Sequence, residues 1–273
     1  GAIAQSFGWR WAFGAMGFLG LVLAAVYGLV ITEKRIGSAS TSRRVSMTGE
    51  RAPIRVQLPQ LFSSRSVVCA YIGSGLQMFI AMALLAWMPS FLNRYYDMTP
   101  GEAGLGAGVF ALIGGSGMIL CGIVADRLSR KAAVRKWVVA IACSMGSLVL
   151  LTAGFRLPTG PLQLVLIGAG TLVAAGTAGP AAAMVANLTP GAIAATAFAT
   201  LTLANSLLGL APGPAVTGML ADGLGLLGAL QVIPLMALVT SVVFTIGMFS
   251  YERDLRRLGP LPAPALKTSE SQP

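Results

Sequence analysis

The sequence predicts an all-α protein, a bundle of helices that cross a membrane. Hydrophobic residues make up 55% of the 273 residues, 34 residues are glycine, and the mean hydropathy is +0.78. Only 10% of the residues are charged, and they lie between long apolar stretches. A soluble domain has about 25% charged residues, so this composition indicates an integral membrane protein.

Seven apolar stretches are long enough to cross a bilayer, which takes about 20 residues of helix. Their predicted bounds are 12–32, 67–92, 103–125, 137–155, 162–188, 193–220 and 226–251. The chain then divides into the end of a first helical half, a basic linker, a six-helix half and a tail: 1–32, 33–66, 67–251 and 252–273. An odd number of spans, a start at Gly1 and the lack of a signal peptide predict the later part of a longer, twelve-span protein.

Basic residues alternate between the connections. The linker holds seven Lys or Arg, residues 122–136 hold five and the tail holds four, whereas the opposite set contains only Arg10, Arg94 and Arg156. By the positive-inside rule, the basic connections and the C-terminus face the cytoplasm and residue 1 lies outside.

Several other classes of function are not predicted. The bases form no stripe with interleaved aromatic residues, which argues against nucleic-acid binding. Cys69, Cys121 and Cys143 lie in apolar stretches without C-x-x-C spacing, and the chain has no histidine, so we expect neither a metal site nor a cofactor. We do not predict an enzyme, because no span holds a carboxylate pair or a nucleophile with a base beside it.

Four stretches of sequence carry a resemblance to the major facilitator superfamily, and the resemblance extends over essentially the whole chain. GIVADRLSRK at 122–131 is similar to the cytoplasmic signature that joins the family's eighth and ninth helices, and FGWRWAF at 7–13 is similar to the entry to its sixth. AWMPSFLNRYYDMTPGEAG at 86–104 and LANSLLGLAPGPAVTGMLADGLG at 203–225 resemble bacterial spinster-like members. The resemblance implies a transporter of the bacterial inner membrane, with seven of twelve spans present.

Two departures from the family pattern stand out. Ser129 replaces the second glycine of the signature, and the connection TPGA at 189–192 lacks the arginine that usually follows its proline. We therefore expect a less tight turn at the signature and one cytoplasmic contact fewer.

The resemblance implies that the signature latches one state of a conformational cycle. The residues to which it assigns this role are Gly122, Asp126, Arg127, Arg130 and Lys131. Gly122 allows close helix approach, and Asp126 can accept hydrogen bonds from a helix N-terminus and from the neighbouring arginines. The alternative is a basic connection that only sets topology. That explanation accounts for Arg135 and Lys136 but not for an acid beside Arg127.

Neutral polar residues are the candidates for substrate contact, because no Lys, Arg, Asp or Glu lies in the middle of a span. Resemblance places two spans along a central cavity, and the candidate substrate contacts on them are Tyr71, Ser74, Gln77, Thr202 and Asn205. The alternative is that the hydroxyls bond their own helices and the amides hold helices together.

Glycine and proline interrupt the sixth predicted span. The residues expected to bend it are Gly209, Pro212, Gly213 and Pro214. Small residues permit close helix contacts and prolines free backbone carbonyls, which suits a protein that rocks between states.

The function implied by the resemblance is secondary transport of a small organic or amphipathic, lipid-like solute. In this fold two halves rock about a site near the bilayer midplane. The expected partners are the solute, the lipid bilayer and the N-terminal half of the same protein. The alternative is a membrane sensor or assembly protein that reuses the fold without transport, since fold alone does not determine function.

Overall fold

A computed structural model describes residues 9–30, 62, 64–130, 132, 134–190 and 193–257, and all regular structure in these residues is helical. The α-helices are α1 Trp9–Val30, α2 Arg65–Tyr95, α3 Pro100–Ser129, α4 Arg135–Arg156, α5 Pro161–Ala175, α6 Ala178–Leu188, α7 Ala194–Asn205, α8 Pro212–Val232 and α9 Met236–Arg257. A π-helical turn, Ser206–Leu210, joins α7 to α8, and a 3-10 turn, Ile233–Leu235, precedes α9. Most of the predicted linker and tail lies outside the described residues, as does Lys131.

Five helical stretches are long and apolar enough to cross a membrane. They are Arg65–Tyr95, Pro100–Ser129, Arg135–Arg156, Pro161–Leu188 and Ala194–Arg256, and α1 contributes a shorter apolar run, Met16–Tyr27. The predicted class, an all-α bundle of membrane helices, is therefore confirmed. The last stretch has 63 residues. As one straight helix it would be about 95 Å long, about three times the hydrocarbon core.

The first part of this long stretch runs parallel to α2. A Cβ atom at Gly209 would lie 2.7 Å from the carbonyl oxygen of Gly75, and one at Gly218 would lie 3.0 Å from the ring of Trp87. Residue numbers rise together in the two helices. Glycine at these positions lets the α7–α8 segment lie directly against α2.

The second part runs back along α2. The Leu227 N–H donates to the Tyr95 hydroxyl at 3.1 Å, and further on Phe244 packs against Gly73. The reversal occurs at Gly225, where φ is 74° and ψ is 162°. A positive φ favours glycine, so this residue permits the turn. The 63-residue stretch therefore makes two passes, and it turns where the sequence predicts a connection.

The bundle packs around α2, which is the most buried of the membrane-length helices, whereas α3 is the least buried. Near the C-terminal end of α2, the ring of Phe91 meets that of Phe155 edge to face at 5.6 Å. Near its N-terminal end, Trp137 packs edge to face on Phe244 at 6.1 Å. Outward-facing leucine, valine and phenylalanine side chains on the peripheral helices provide the surface that lipid would cover.

The two ends of the bundle differ in charge. At one end of the bundle, α2 begins, α3 connects to α4, and α9 ends. We call this end the basic end. The basic residues at that end whose side chains the structure describes are Arg65, Arg127, Arg130, Arg135, Lys136, Arg253 and Arg256. The opposite end, formed by the α2–α3 and α4–α5 connections and the Gly225 turn, has Arg94 and Arg156.

Candidate functional site

A cavity of about 280 Å³ lies between α2, α3 and the α5–α6 pair. Its larger apolar lining residues are Met78, Met82, Leu84, Leu85, Met88, Phe110 and Met118, and its polar lining residues are Ser74, Thr171 and Thr177. Alanine and glycine complete the wall. Among the residues that the structure describes, no charged side chain lines this cavity.

Small residues on α3 and α5 line the cavity and allow these two helices to approach each other closely. A Cβ atom at Gly114 would lie 3.6 Å from the methyl group of Thr171, which is ordinary contact. One turn further along α3, a Cβ at Gly117 would overlap the carbonyl oxygen of Leu172. The backbones of α3 and α5 are therefore as close as they can be beside the cavity, and only glycine fits there.

A break between α5 and α6 borders the cavity. Residues 176 and 177 belong to neither helix, and Thr177 lines the cavity. Pro180 follows, and because proline has no N–H, the carbonyl of Gly176 lacks its usual helical partner. Such a break places free backbone groups at membrane depth, which proteins tolerate where a cavity or neighbouring helices can satisfy them.

Ser74 is the one predicted contact residue that lines the cavity. Its side chain is only 4% exposed, and its hydroxyl makes no hydrogen bond to a described residue. The other hydroxyls bond their own helices: Thr171 donates to the Ile167 carbonyl at 2.8 Å and Thr177 to the Ala174 carbonyl at 3.4 Å. Ser74 therefore supplies the cavity wall with a hydroxyl group that has no hydrogen-bond partner among the described residues.

Gln77 and Tyr71 lie on other sides of α2. Gln77 is 1% exposed, and its Nε2 donates to the Ser147 hydroxyl of α4 at 3.0 Å. Tyr71 is buried in the basic-end core beside Trp137. Three residues turn a helix by about 300°, so each step of three rotates the side chain by about 60°. Tyr71, Ser74 and Gln77 consequently face different neighbours.

The two candidates on α7 lie outside the cavity. Thr202 is exposed and donates to the Phe198 carbonyl at 3.0 Å, a bond within its own helix. Asn205 is half-buried, and its Oδ1 is enclosed without a hydrogen-bond partner among the described residues. The structure thus brings none of the other four candidates to the cavity with Ser74.

The predicted bending residues surround the π turn. The Ala211 N–H donates to the Ser206 carbonyl at 3.1 Å, five residues back. Gly209 closes this turn against α2, as described above, and a Cβ at Gly213 would lie 2.6 Å from the Phe79 carbonyl oxygen. Pro212 begins α8, and the Pro214 carbonyl accepts from Nε1 of Trp87 at 2.9 Å.

The signature residues lie at the basic end. Asp126 pairs with Lys136 at 4.0 Å, with side chains 73% and 13% exposed. Lys136 therefore has an ion-pair partner in addition to the topological role predicted for it. Arg127 and Arg130 are exposed, and neither pairs with Asp126.

Gly122 also makes the close helix contact that its position suggested. A Cβ atom at Gly179 of α6 would lie 3.1 Å from its Cα. The signature therefore begins at a backbone-to-backbone approach of α3 and α6.

Sequence reasoning missed a buried carboxylate at the basic end. Asp254 is 5% exposed and accepts hydrogen bonds from the Ser66 N–H at 3.0 Å, the Ser66 hydroxyl at 2.8 Å and the Ser64 hydroxyl at 2.8 Å. It lies in the stretch predicted as tail, but α9 continues to Arg257. The spacing of Tyr251, Asp254 and Leu255 on one helix face was a signal for this continuation.

Polar contacts also fasten the opposite end. The Tyr96 hydroxyl donates to Oε1 of Gln163 at 2.7 Å and accepts from the Gly160 N–H at 3.1 Å. Gln231 Nε2 donates to the Phe155 carbonyl at 2.9 Å. These bonds connect the α2–α3 connection to the α4–α5 connection and α8 to α4.

Known proteins resemble this chain in sequence. An "MFS-type efflux pump" of Mycolicibacterium smegmatis is 28% identical over 267 residues, which are 93% of this chain and 60% of the relative. A "probable galactarate/D-glucarate transporter GudP" of Bacillus subtilis is 28% identical over 149 residues, 48% of this chain and 32% of the relative. The chain thus spans less than two thirds of the length of these relatives.

Solved structures show the same fold. A bacterial homologue of the human lysosomal transporter Spinster, inward-facing and unoccupied, has a TM-score of 0.66 at 12% identity and covers 75% of this chain and 52% of its own. The inward-facing and occupied form has a TM-score of 0.63 at 14% identity, covering 70% and 50%. The profile of the Major Facilitator Superfamily matches residues 1–211, most of the chain. With this match and this fold, the chain belongs to the major facilitator superfamily.

Proposed function

We propose that the chain is the later part of a secondary active transporter that moves a small organic or amphipathic solute by alternating access. It supplies seven of twelve spans: the last span of an N-terminal half and a C-terminal six-helix half. The solute binds between the halves, and the N-terminal half completes the site. The basic end faces the cytoplasm of a bacterial cell, and the C-terminus lies on that side.

The observation that carries this proposal is the cavity between α2, α3 and the α5–α6 pair. It lies within a bundle of membrane-length helices, and its lining is apolar apart from three hydroxyl groups. A largely apolar cavity with a few polar groups is the usual form of a small-molecule site. The described spans have no ionisable residue at mid-depth, so a proton-coupling carboxylate would belong to the N-terminal half.

The latch is the proposed control element at the basic end. Asp126 and Lys136 join the two sides of the α3–α4 connection, and Gly122 lets α3 lie against α6. A single ion pair at 4.0 Å whose carboxylate is 73% exposed is weak, which suits an interaction that must break and reform in each cycle. Arg127, Arg130 and Lys131 complete it as partners of the N-terminal half or of lipid phosphate.

Transport should fall modestly when the pair is broken. We expect Asp126→Asn to lower solute flux about two- to fivefold, the range that corresponds to an exposed ion pair. The measurement is uptake into proteoliposomes by the full-length protein, with a panel that includes ethidium and D-glucarate. Exchanging the charges with Asp126→Lys and Lys136→Asp together should restore flux.

The control is Glu252→Gln, which removes an exposed acid at the same end and outside the pair. Equal losses in Asp126→Asn and Glu252→Gln, or an exchanged pair that stays slow, would contradict the latch. No flux of any solute in the panel, together with specific binding, would instead favour a membrane sensor.

The contact between Gln77 and Ser147 allows a test of whether Gln77 serves packing or cargo. We expect Gln77→Leu to change the free energy of unfolding by less than about 1 kcal/mol, because it removes a hydrogen bond and an unpartnered carbonyl together. Ser147→Ala should cost more, about 1–2 kcal/mol, because it leaves the buried Gln77 amide without an acceptor. Thermal unfolding of both single variants and the double variant measures this.

A greater cost for Gln77→Leu than for Ser147→Ala would contradict this prediction. Flux gives the second readout. If Gln77 contacts the solute, Gln77→Leu lowers flux where Ser147→Ala does not.

A further inference from the structure

The chemistry of the cavity wall restricts the solute that it can take. Four methionine thioethers, from Met78, Met82 and Met88 of α2 and from Met118 of α3, line one small space together with Phe110. Methionine is flexible and polarisable and packs favourably against aromatic rings. This wall therefore suits apolar, polarisable bodies such as ring systems and tolerates differences in their shape.

One polar position in this wall has an unused hydrogen-bonding group. Ser74 is nine-tenths buried or more, lines the cavity and makes no hydrogen bond to a described residue. A neutral hydrogen bond contributes a net free energy of about 0.5–1.5 kcal/mol. A solute that offers Ser74 a hydroxyl, carbonyl or amide gains such a hydrogen bond on binding.

The break between α5 and α6 provides a second polar position. Thr177 lines the cavity, and its hydrogen bond to the Ala174 carbonyl is long, at 3.4 Å, so little is lost if the hydroxyl turns to a solute. Ser74 lies on α2 and Thr177 lies in the break between α5 and α6, and both line the same cavity. Both are neutral groups that can donate and accept.

The described residues that line the cavity include no charged group. No described side chain that lines the cavity is ionisable, and burying a carboxylate or an ammonium without a partner is strongly unfavourable. The solutes in the name of the Bacillus subtilis relative, galactarate and D-glucarate, are dianions. The described wall offers nothing that would neutralise a dianion.

We infer that the cavity selects uncharged solutes that carry one hydrogen-bonding group on an apolar, polarisable body, with the polar group at Ser74 and Thr177 and the body among the methionines. The inference rests on the proposed transport function and gives its solute class. At about 280 Å³, the cavity is just below the range of about 300–1,000 Å³ for drug-sized ligands, so the body corresponds to one or two rings.

Three probes with the same naphthyl ring test the inference: 1-naphthylmethanol is neutral, 1-naphthoate is an anion and 1-naphthylmethylammonium is a cation. Binding of radiolabelled probe to the full-length protein in lipid nanodiscs is measured, with empty nanodiscs as the blank. We expect 1-naphthylmethanol to bind at least about tenfold more tightly than either charged probe, since the wall that holds the naphthyl ring offers a charge no partner. Galactarate should not compete with it.

Ser74→Ala removes the hydroxyl and leaves the cavity otherwise intact. We expect it to weaken binding of 1-naphthylmethanol about three- to tenfold, the worth of one neutral hydrogen bond, and to leave binding of naphthalene unchanged. The matched control is Ser116→Ala, because Ser116 is exposed and donates to the Ile113 carbonyl of its own helix. It should change neither affinity.

Two results would overturn the inference: tighter binding of 1-naphthoate or galactarate than of 1-naphthylmethanol, or equal effects of Ser74→Ala and Ser116→Ala. These outcomes are separate from the failure of transport. If 1-naphthylmethanol binds as expected and proteoliposomes show no flux of any solute, the solute class stands and the transport function does not. If flux occurs but only charged solutes bind, the reverse holds.

Discussion

Gly117→Ala is expected to lower the free energy of unfolding by about 3 kcal/mol, the upper part of the usual range for overpacking. The added methyl group would overlap the Leu172 carbonyl oxygen and would lie 2.7 Å from the carbonyl carbon. These are backbone atoms, so no side chain can move aside and α3 must separate from α5. Thermal unfolding in detergent, followed by far-ultraviolet circular dichroism, measures the loss.

Gly108→Ala is the matched control. It lies on the same helix, and nothing lies within 4 Å of an added Cβ. Alanine favours helix over glycine by up to about 1 kcal/mol, so this variant should be neutral or slightly stabilised. Similar stability of the two variants would contradict the close contact.

The same substitution has a consequence for the cavity. Gly114 and Thr171, which line the cavity, lie one turn from Gly117 and beside Leu172. If α3 moves away from α5, the wall widens and its contacts with a bound ring weaken. We therefore expect Gly117→Ala also to weaken binding of 1-naphthylmethanol, whereas Gly108→Ala should not.

Asp254→Ala is expected to destabilise the bundle by about 3 kcal/mol. The carboxylate accepts from two hydroxyls and one backbone N–H at the start of α2, and its loss leaves the buried donors of Ser66 without this acceptor. Hydrogen bonds to charged groups are worth about 1.5–3 kcal/mol each, though their contributions do not simply add. Asp254→Asn keeps one oxygen acceptor and should recover about half of the loss.

Hydrogen exchange locates the effect. In Asp254→Ala, the amides of the first turn of α2 should exchange faster, beginning with Ser66, whereas the amides near Tyr95 should not change. Glu252→Ala is the control, because Glu252 lies on the same helix and is exposed. Equal destabilisation by Asp254→Ala and Glu252→Ala would show that the carboxylate does not fasten α2.

The membrane helices were predictable because hydropathy reports directly on the bilayer. The predicted span 67–92 corresponds to α2, and the structure adds one turn or less at each end, where Ser64 caps the helix. α3 begins at a capping box formed by Thr99 and Glu102, a pattern that is visible in the sequence. Local signals of this kind fix where helices start.

The interruptions within spans were less predictable. Pro180 was visible, but the break at residues 176 and 177 depends on which backbone groups find partners, and hydropathy does not report this. The same holds for the π turn, since Gly209 and Pro212 indicate irregularity without saying that the helix gains a residue.

The candidate site was predicted only in part because α2 is surrounded by other helices. On a helix buried on most sides, polar residues show no contrast between a lipid face and a protein face, so spacing could not separate Ser74 from Gln77. The partner of Gln77 is Ser147, 70 residues away. The four methionines are visible in the sequence, but only the fold shows that those of α2 and that of α3 line the same cavity.

The π turn also affects which side chains of the preceding helix face α2. A π turn is an α-helix with one residue inserted, so deleting one residue from Ser206–Leu210 would restore a regular helix. Because the wider turn takes up the extra residue, the residues before the deletion, Asn205 included, would keep their orientation relative to α8, and the contact of Trp87 with Pro214 would stay in place. A related chain with the same number of residues but a regular helix here would instead turn the part before Ser206 by about 100° and present different side chains to α2.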